Sequence, residues 1–216
     1  MFTLKRHYKT ENKNHAIILI HGLIRTTRSM RRLANFLNKH GYDCYLYSYE
    51  SAKLTIVEHS AELLKNVQKL LETNPDTKFS FITHSLGGIL ARDALSNIDS
   101  KHRKQIDRMV LLAPPNKGSR LATIAVKSFP FLANWIKPLS ELRDHPSAYV
   151  HQVKTPGDIE IGIIAARLDI KTPPAVTRLD QQKDFMIVTS THTFIMNQPV
   201  ARRAMLRFIE TGSFLR

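Results

Sequence analysis

Residues 78–98 read KFSFITHSLGGILARDALSNI, and the way this stretch changes period decides the fold. KFSFI, entered from the turn Asn74-Pro75-Asp76, has the length and apolar content of a buried strand. At Thr83-His84-Ser85-Leu86-Gly87-Gly88 the chain turns without a linker into LGGILARDALSNI, whose apolar residues recur at helical spacing. The same alternation extends both ways along the chain. Upstream, HAIILIHG reads as a buried strand, RSMRRLANFLNKHG as a helix ending at Gly41, YDCYLYSY as a half-buried strand and TIVEHSAELLKNVQKLLET as a helix. Downstream, DRMVLLAPP and IEIGIIAA read as strands and VARRAMLRFIE as the C-terminal helix. Strands alternating with helices imply parallel pairing through helical crossovers, hence a three-layer α/β/α sandwich with a mostly parallel central sheet. No repeat, low-complexity tract or linker divides the chain, so residues 1–216 read as one domain.

In such sheets ligands bind beyond the carboxyl ends of the strands. Ser85 stands at one of those ends, in the pattern G-x-S-x-G with Thr83 at the first glycine position. The sharp turn of that motif needs small residues two before and two after the serine, so a β-branched Thr83 must tuck its side chain away. The plain alternative is a strand-to-helix turn with Ser85 as a helix cap. A second strand ends in Ile20-His21-Gly22-Leu23, where His21 reads as a residue shaping the loop. After Ser85 come His102, His145, His151 and His192. Only His192 follows the last strand candidate, in the polar loop Thr189-Ser190-Thr191-His192-Thr193, whereas the other three read as solvated surface. Asp169 directly follows the strand IEIGIIAARL, and Asp180 and Asp184 are its rivals in a polar loop.

The strand end HGL (21–23), the turn THSLGG (83–88) and the segment LLAPPNKGSRLA (111–122) resemble the lipase and esterase branch of the α/β-hydrolase superfamily. The similarity is most specific over residues 17–34, 79–122 and 159–209. It implies an α/β-hydrolase fold in a compact version, and a catalytic order of serine, acid, histidine. Carried onto this chain, that order makes Ser85 the nucleophile, Asp169 the acid and His192 the base, with Asp169-Ile170-Lys171-Thr172 similar to the family's acid loop. The backbone N–H groups of Leu86 and Leu23 would form the oxyanion hole. The expected activity is hydrolysis of carboxylic esters through an acyl-enzyme. Acyl transfer and thioester or amide cleavage use the same triad. The segment 117–158, with Phe129, Phe131, Trp135 and Ile136, reads either as a cap lining an acyl pocket or as helices packed on the sheet.

The chain carries 32 Lys and Arg against 18 Asp and Glu, a formal charge of +14. Lys5, Arg6, Lys9, Lys13, Arg25, Arg28, Arg31 and Arg32 are opposed in the first 32 residues only by Glu11. Such a field favours polyanions or anionic lipid surfaces, and the plain alternative is a solvated basic surface with no specific partner. It also keeps open a non-catalytic module that binds anionic surfaces on this fold. No nucleic-acid signature accompanies the charge, so no nucleic acid is expected as a partner. No metal-ligand cluster, P-loop or dinucleotide fingerprint occurs, and no cofactor is implied. The lone Cys44 reads as packing. The polar N-terminus does not read as a secretory signal and no apolar run reaches spanning length, so the expected location is cytoplasmic, with peripheral attachment to a membrane surface open.

Overall fold

The computed structural model describes residues 2–8 and 14–215. Lys9, Glu11 and Lys13 of the basic N-terminal cluster lie outside them. Seven strands, β1 (Thr3–Tyr8), β2 (His15–Ile20), β3 (Asp43–Ser48), β4 (Lys78–His84), β5 (Ile106–Leu112), β6 (Glu160–Ala166) and β7 (Asp184–Val188), form one sheet in the order β1-β3-β2-β4-β5-β6-β7. All neighbours pair in parallel except β1 with β3. The helices are α1 (Arg31–Lys39), α2 (Ile56–Glu72), α3 (Leu86–Ser96), α4 (Ser100–Arg103), α5 (Arg120–Ser128), α6 (Leu132–Trp135), α7 (Pro138–Glu141), α8 (Pro174–Thr177) and α9 (Pro199–Thr211).

Because strand side chains alternate between faces, the sheet supplies two cores. Ile17 and Leu19 of β2 pack with Leu33 and Leu37 of α1 and with Met205 and Phe208 of α9. Ala16, Ile18 and Ile20 pack on the opposite face with Leu63 and Val67 of α2 and Leu90 of α3. The central strands are apolar throughout because helices cover both faces. Thr55 and Glu58 start α2 as a reciprocal capping box, and Gly212 ends α9 in the left-handed conformation.

Two strands and two burial patterns depart from the sequence reading. β1 and β7 are edge strands: TLKRHY is mostly polar, and DFMIV, though apolar, is only five residues long and lies in a stretch that reads as a polar loop. β3 is buried rather than half-buried, since β1 covers its far edge and helices cover its faces. Cys44 is buried there as expected, and burial pushes its thiol up to about 12. His102 is buried rather than solvated, closing α4 through a 3.0 Å hydrogen bond to Asp99. His145 and His151 are exposed.

The strand order reverses between β2 and β4. This switch point opens a crevice at the carboxyl ends of the two strands, with Ile20 level with Thr83 across the pair.

Candidate active site

The backbone itself marks this crevice. Three non-glycine residues among the described ones have positive φ: Ile24 (52°), Ser85 (53°) and Ala113 (47°). Each follows the end of β2, β4 or β5, the three adjacent central strands. L-residues avoid this region, so such conformations persist only where the surroundings enforce them.

At Ser85 the enforcement is visible. Its N–H donates to Leu112 O on β5 at 2.9 Å, and the residue takes φ 53°, ψ −124° with no side-chain capping bond, which rejects the helix-cap reading. Gly87 is obligatory, because a Cβ there would lie 2.7 Å from His21 O and 2.9 Å from Ile20. Thr83 is accommodated by the second glycine: a Cβ on Gly88 would stand 3.1 Å from Thr83 Oγ1. The turn therefore keeps its shape with a β-branched residue at the first glycine position.

The three residues expected to act together are brought together from three strand ends. Ser85 Oγ donates to His192 Nε2 at 3.0 Å, and His192 Nδ1 donates to Asp169 Oδ2 at 2.6 Å. Asp169 is only 4% exposed. Its Oδ1 accepts the N–H groups of Lys171 and Thr172 at 2.8 and 2.9 Å, and its Oδ2 accepts Thr172 Oγ1 at 2.8 Å. Burial opposes ionisation of this carboxyl, but the His192 hydrogen bond and charge, with the Thr172 bonds, outweigh it and hold its pKa below the ordinary value. Asp180 and Asp184 stand elsewhere. Asp180 is exposed, and Asp184 accepts from Ser213 and Phe214 near the C-terminus.

Leu86 opens α3, where a helix's first amides lack intrahelical acceptors. Leu23 lines the cleft beside Ser85 and His192, while the next amide, Ile24 N, is engaged by Ser51 Oγ at 2.9 Å. His21 is buried and stacks on Tyr49 at 4.3 Å, donating from Nδ1 to Gly22 O. Burial lowers its pKa to about 4, so it is a neutral structural residue.

Two positions went unremarked in the sequence. Thr172 donates its one hydroxyl proton to Asp169 Oδ2, and its Oγ1 also packs 3.0 Å from His192 Nδ1 and 3.2 Å from Ala113 O, so this side chain sits between acid, base and the β5 end. His84, beside the nucleophile, donates from Nε2 to His192 O at 2.9 Å. Burial lowers its pKa to about 3 and keeps it neutral. Gly22 makes room for it, since a Cβ there would lie 2.9 Å from His84 Nδ1. A histidine next to the serine was legible, but its partner 108 residues away was not.

The cleft above Ser85 has a volume of about 560 Å³. One wall is apolar, formed by Leu121, Ala122 and Ala125 of α5 with Leu139 and Leu142, and its charged lining residues are Arg25 and Lys171. Ser119 ties that wall to the acid loop, its Oγ donating to Lys171 O at 2.9 Å. Among the described residues no cluster of His, Cys, Asp or Glu is arranged to hold a metal ion.

A parallel sheet with a strained serine between β4 and α3, and an acid and a histidine after later strands, defines an α/β hydrolase. Residues 11–155 match the model of the serine aminopeptidase S33 family, and the chain belongs to that family. The match includes the turn at Ser85 and the β2 end and stops before Asp169 and His192. No curated protein matches by sequence. Among solved structures, Bacillus licheniformis lipase BlEst2 in mature form superposes with a TM-score of 0.80 at 15% identity, over 97% of this chain and 98% of that one. Paleococcus ferrophilus monoacylglycerol lipase gives 0.67 at 17% identity, covering 97% and 99%. Pyrococcus furiosus esterase Pf2001 gives 0.66 at 18% identity, covering 100% and 93%.

Proposed function

We propose that the protein is a serine hydrolase that cleaves carboxylic esters with an apolar acyl group, through an acyl-enzyme on Ser85. The observation that carries this reading is the continuous relay from Ser85 Oγ through His192 to buried Asp169, at 3.0 and 2.6 Å. As Ser85 attacks the ester carbonyl, its proton passes to His192 Nε2, while Asp169 holds the ring by Nδ1–H and stabilises the imidazolium. The oxyanion is met by the N–H groups of Leu23 and Leu86, and removing such a donor typically costs about 3 kcal/mol. His192 then protonates the departing alcohol, and water, deprotonated by the same nitrogen, releases the acid.

The segment 117–158 serves as the cap of this site, its leucines and alanines receiving the acyl chain. An aminopeptidase would need an anionic partner for its substrate's free ammonium group. The cleft lining offers Arg25 and Lys171 and no carboxylate, which favours the ester. The structural neighbours, two lipases and an esterase by name, agree with that substrate class.

The test is hydrolysis of p-nitrophenyl esters of graded acyl length beside aminoacyl p-nitroanilides, with Ser85→Ala and His192→Ala in parallel. Ester turnover that both variants abolish supports the proposal. Faster cleavage of the anilides, or a folded wild type inert to esters and to a fluorophosphonate, overturns it.

A further inference from the structure

Large apolar side chains left in solvent are unevenly distributed over this molecule. Of thirteen exposed ones among the described residues, eleven belong to segments that follow the carboxyl ends of strands, and only Ile187 and Leu215 do not. Five of the eleven, Leu121, Ile124, Phe129, Phe131 and Trp135, come from α5, α6 and the turn between them. Trp135 is 79% exposed, and Phe129 and Phe131 meet edge to face at 6.1 Å. Ile24 and Leu121 carry this patch to the mouth of the cleft. Lys137 N, bonded to Ala52 O just beyond β3, holds the patch to the same end of the sheet.

Within its own segment the patch carries charge of one sign. From Arg120 to Lys137 the chain carries Arg120, Lys127 and Lys137 and no acid, and all three are exposed. Arg25 and Lys171 stand at the cleft itself. Carboxylates flank the patch: Glu58, which caps α2 close enough to feel the charge of Lys137, Glu141, which accepts Ile56 N at 2.7 Å, and Asp144, which accepts Thr123 Oγ1. An apolar patch of this kind marks an interaction site. Exposed rings amid lysines and arginines have the composition of surfaces that bury aromatics at the headgroup level of a bilayer while cations meet acidic lipids.

We infer that the protein docks on anionic lipid bilayers through this rim, with Phe129, Phe131 and Trp135 entering the interface and Arg120, Lys127 and Lys137 contacting acidic headgroups. The cleft mouth then faces the lipid. Docking is independent of the chemistry at Ser85, and the two readings can fail separately.

Trp135 is the only tryptophan in the chain, so its fluorescence reports on the rim alone. The Ser85→Ala protein is mixed with vesicles of phosphatidylcholine, pure or containing about one-third phosphatidylglycerol, and both emission and co-sedimentation are followed. The expected result is a blue shift with sedimentation on the acidic vesicles only, reversed by salt. Lys127→Gln and Lys137→Gln each weaken partition about fivefold. Phe129→Ser with Phe131→Ser weakens it by about tenfold or more, while the thermal midpoint of each variant stays that of the parent. The inference is overturned by a lack of binding to acidic vesicles, or by sedimentation without a blue shift. It is equally overturned if the phenylalanine pair leaves binding intact, or if the shift arises without vesicles and grows with protein concentration, which would mean a second copy covers the rim.

Discussion

The reacting end of the sheet and the wall that faces it are built on opposite principles. Around Ser85, the strands β2, β4, β5 and β6 supply fully buried neighbours, among them Ile20, Ile82, Leu111 and Ile164. The loops that carry reacting groups there are pinned by hydrogen bonds, Ser85 N to Leu112 O, Thr172 to Asp169 and His84 to His192 O. Across the cleft, α5 buries only Ala122, α6 buries nothing and α7 buries only Pro138. A few polar ties hold that wall, including Ser119 to Lys171 and Glu141 to Ile56. Chemistry that depends on distances of about 3 Å has been placed where close packing resists displacement. On the proposed function, substrate choice falls to a segment that can change without disturbing the core.

Asp169→Asn attacks the contrast at its strongest point. The amide cannot hold His192 in the required tautomer, and kcat falls by about 10⁴-fold with the thermal transition preserved. A smaller loss measured by steady-state kinetics would mean that the buried relay is not the working part.

His84→Phe tests whether the base loop is held as firmly as the serine. Losing the bond to His192 O lowers kcat by about tenfold to a hundredfold at nearly constant KM, and His84→Gln, which keeps an N–H donor, recovers part of it. Equal losses in both variants would reduce His84 to packing.

Ala125→Phe probes the other region. A ring in the apolar wall raises KM for long acyl esters by about tenfold or more, leaving acetate turnover within about twofold. An equal effect on both substrates would show the wall to be coupled to the chemistry.

The same contrast shows in local stability. Amide exchange measured under native conditions is fast across residues 120–137 and slow in β2, β4 and β5. Comparable protection in both would make the wall part of the core.

The smallest effect is on stability against pH. His21 and His84 are neutral when buried, their pKa values lowered from 6.5 to about 4 and about 3 by desolvation. As pH falls below 6.5, the unfolded chain takes up protons that the native state refuses, so stability declines across the window from 6.5 down to about 3. Asp169, lowered in the fold, adds to the decline at its acidic end. His84→Phe flattens the pH dependence of the thermal midpoint by one proton, and an unchanged slope would mean that His84 is protonated in the fold.

The amino-acid sequence by itself determined the alternating architecture, the turn at Ser85 and the ends of the central strands β2, β4, β5 and β6, because periodicity and glycine placement are local properties of the chain. KFSFITHSLGG carries its strand, its turn and its helix start in eleven consecutive residues. It named Asp169 and His192 as candidates by their positions after strands and by resemblance. Only the tertiary structure decided that these groups meet. The bracing by Thr172, the His84 bond to the base loop and the strained turns at Ile24 and Ala113 depend on segments far apart in the chain. β1 was illegible because its residues are mostly polar, and β7 because a five-residue apolar run does not by itself tell a strand from a loop or a helix turn. Whether 117–158 faced solvent or core was undecidable from its apolar spacing, because helical periodicity reports that one face is apolar and not what covers it.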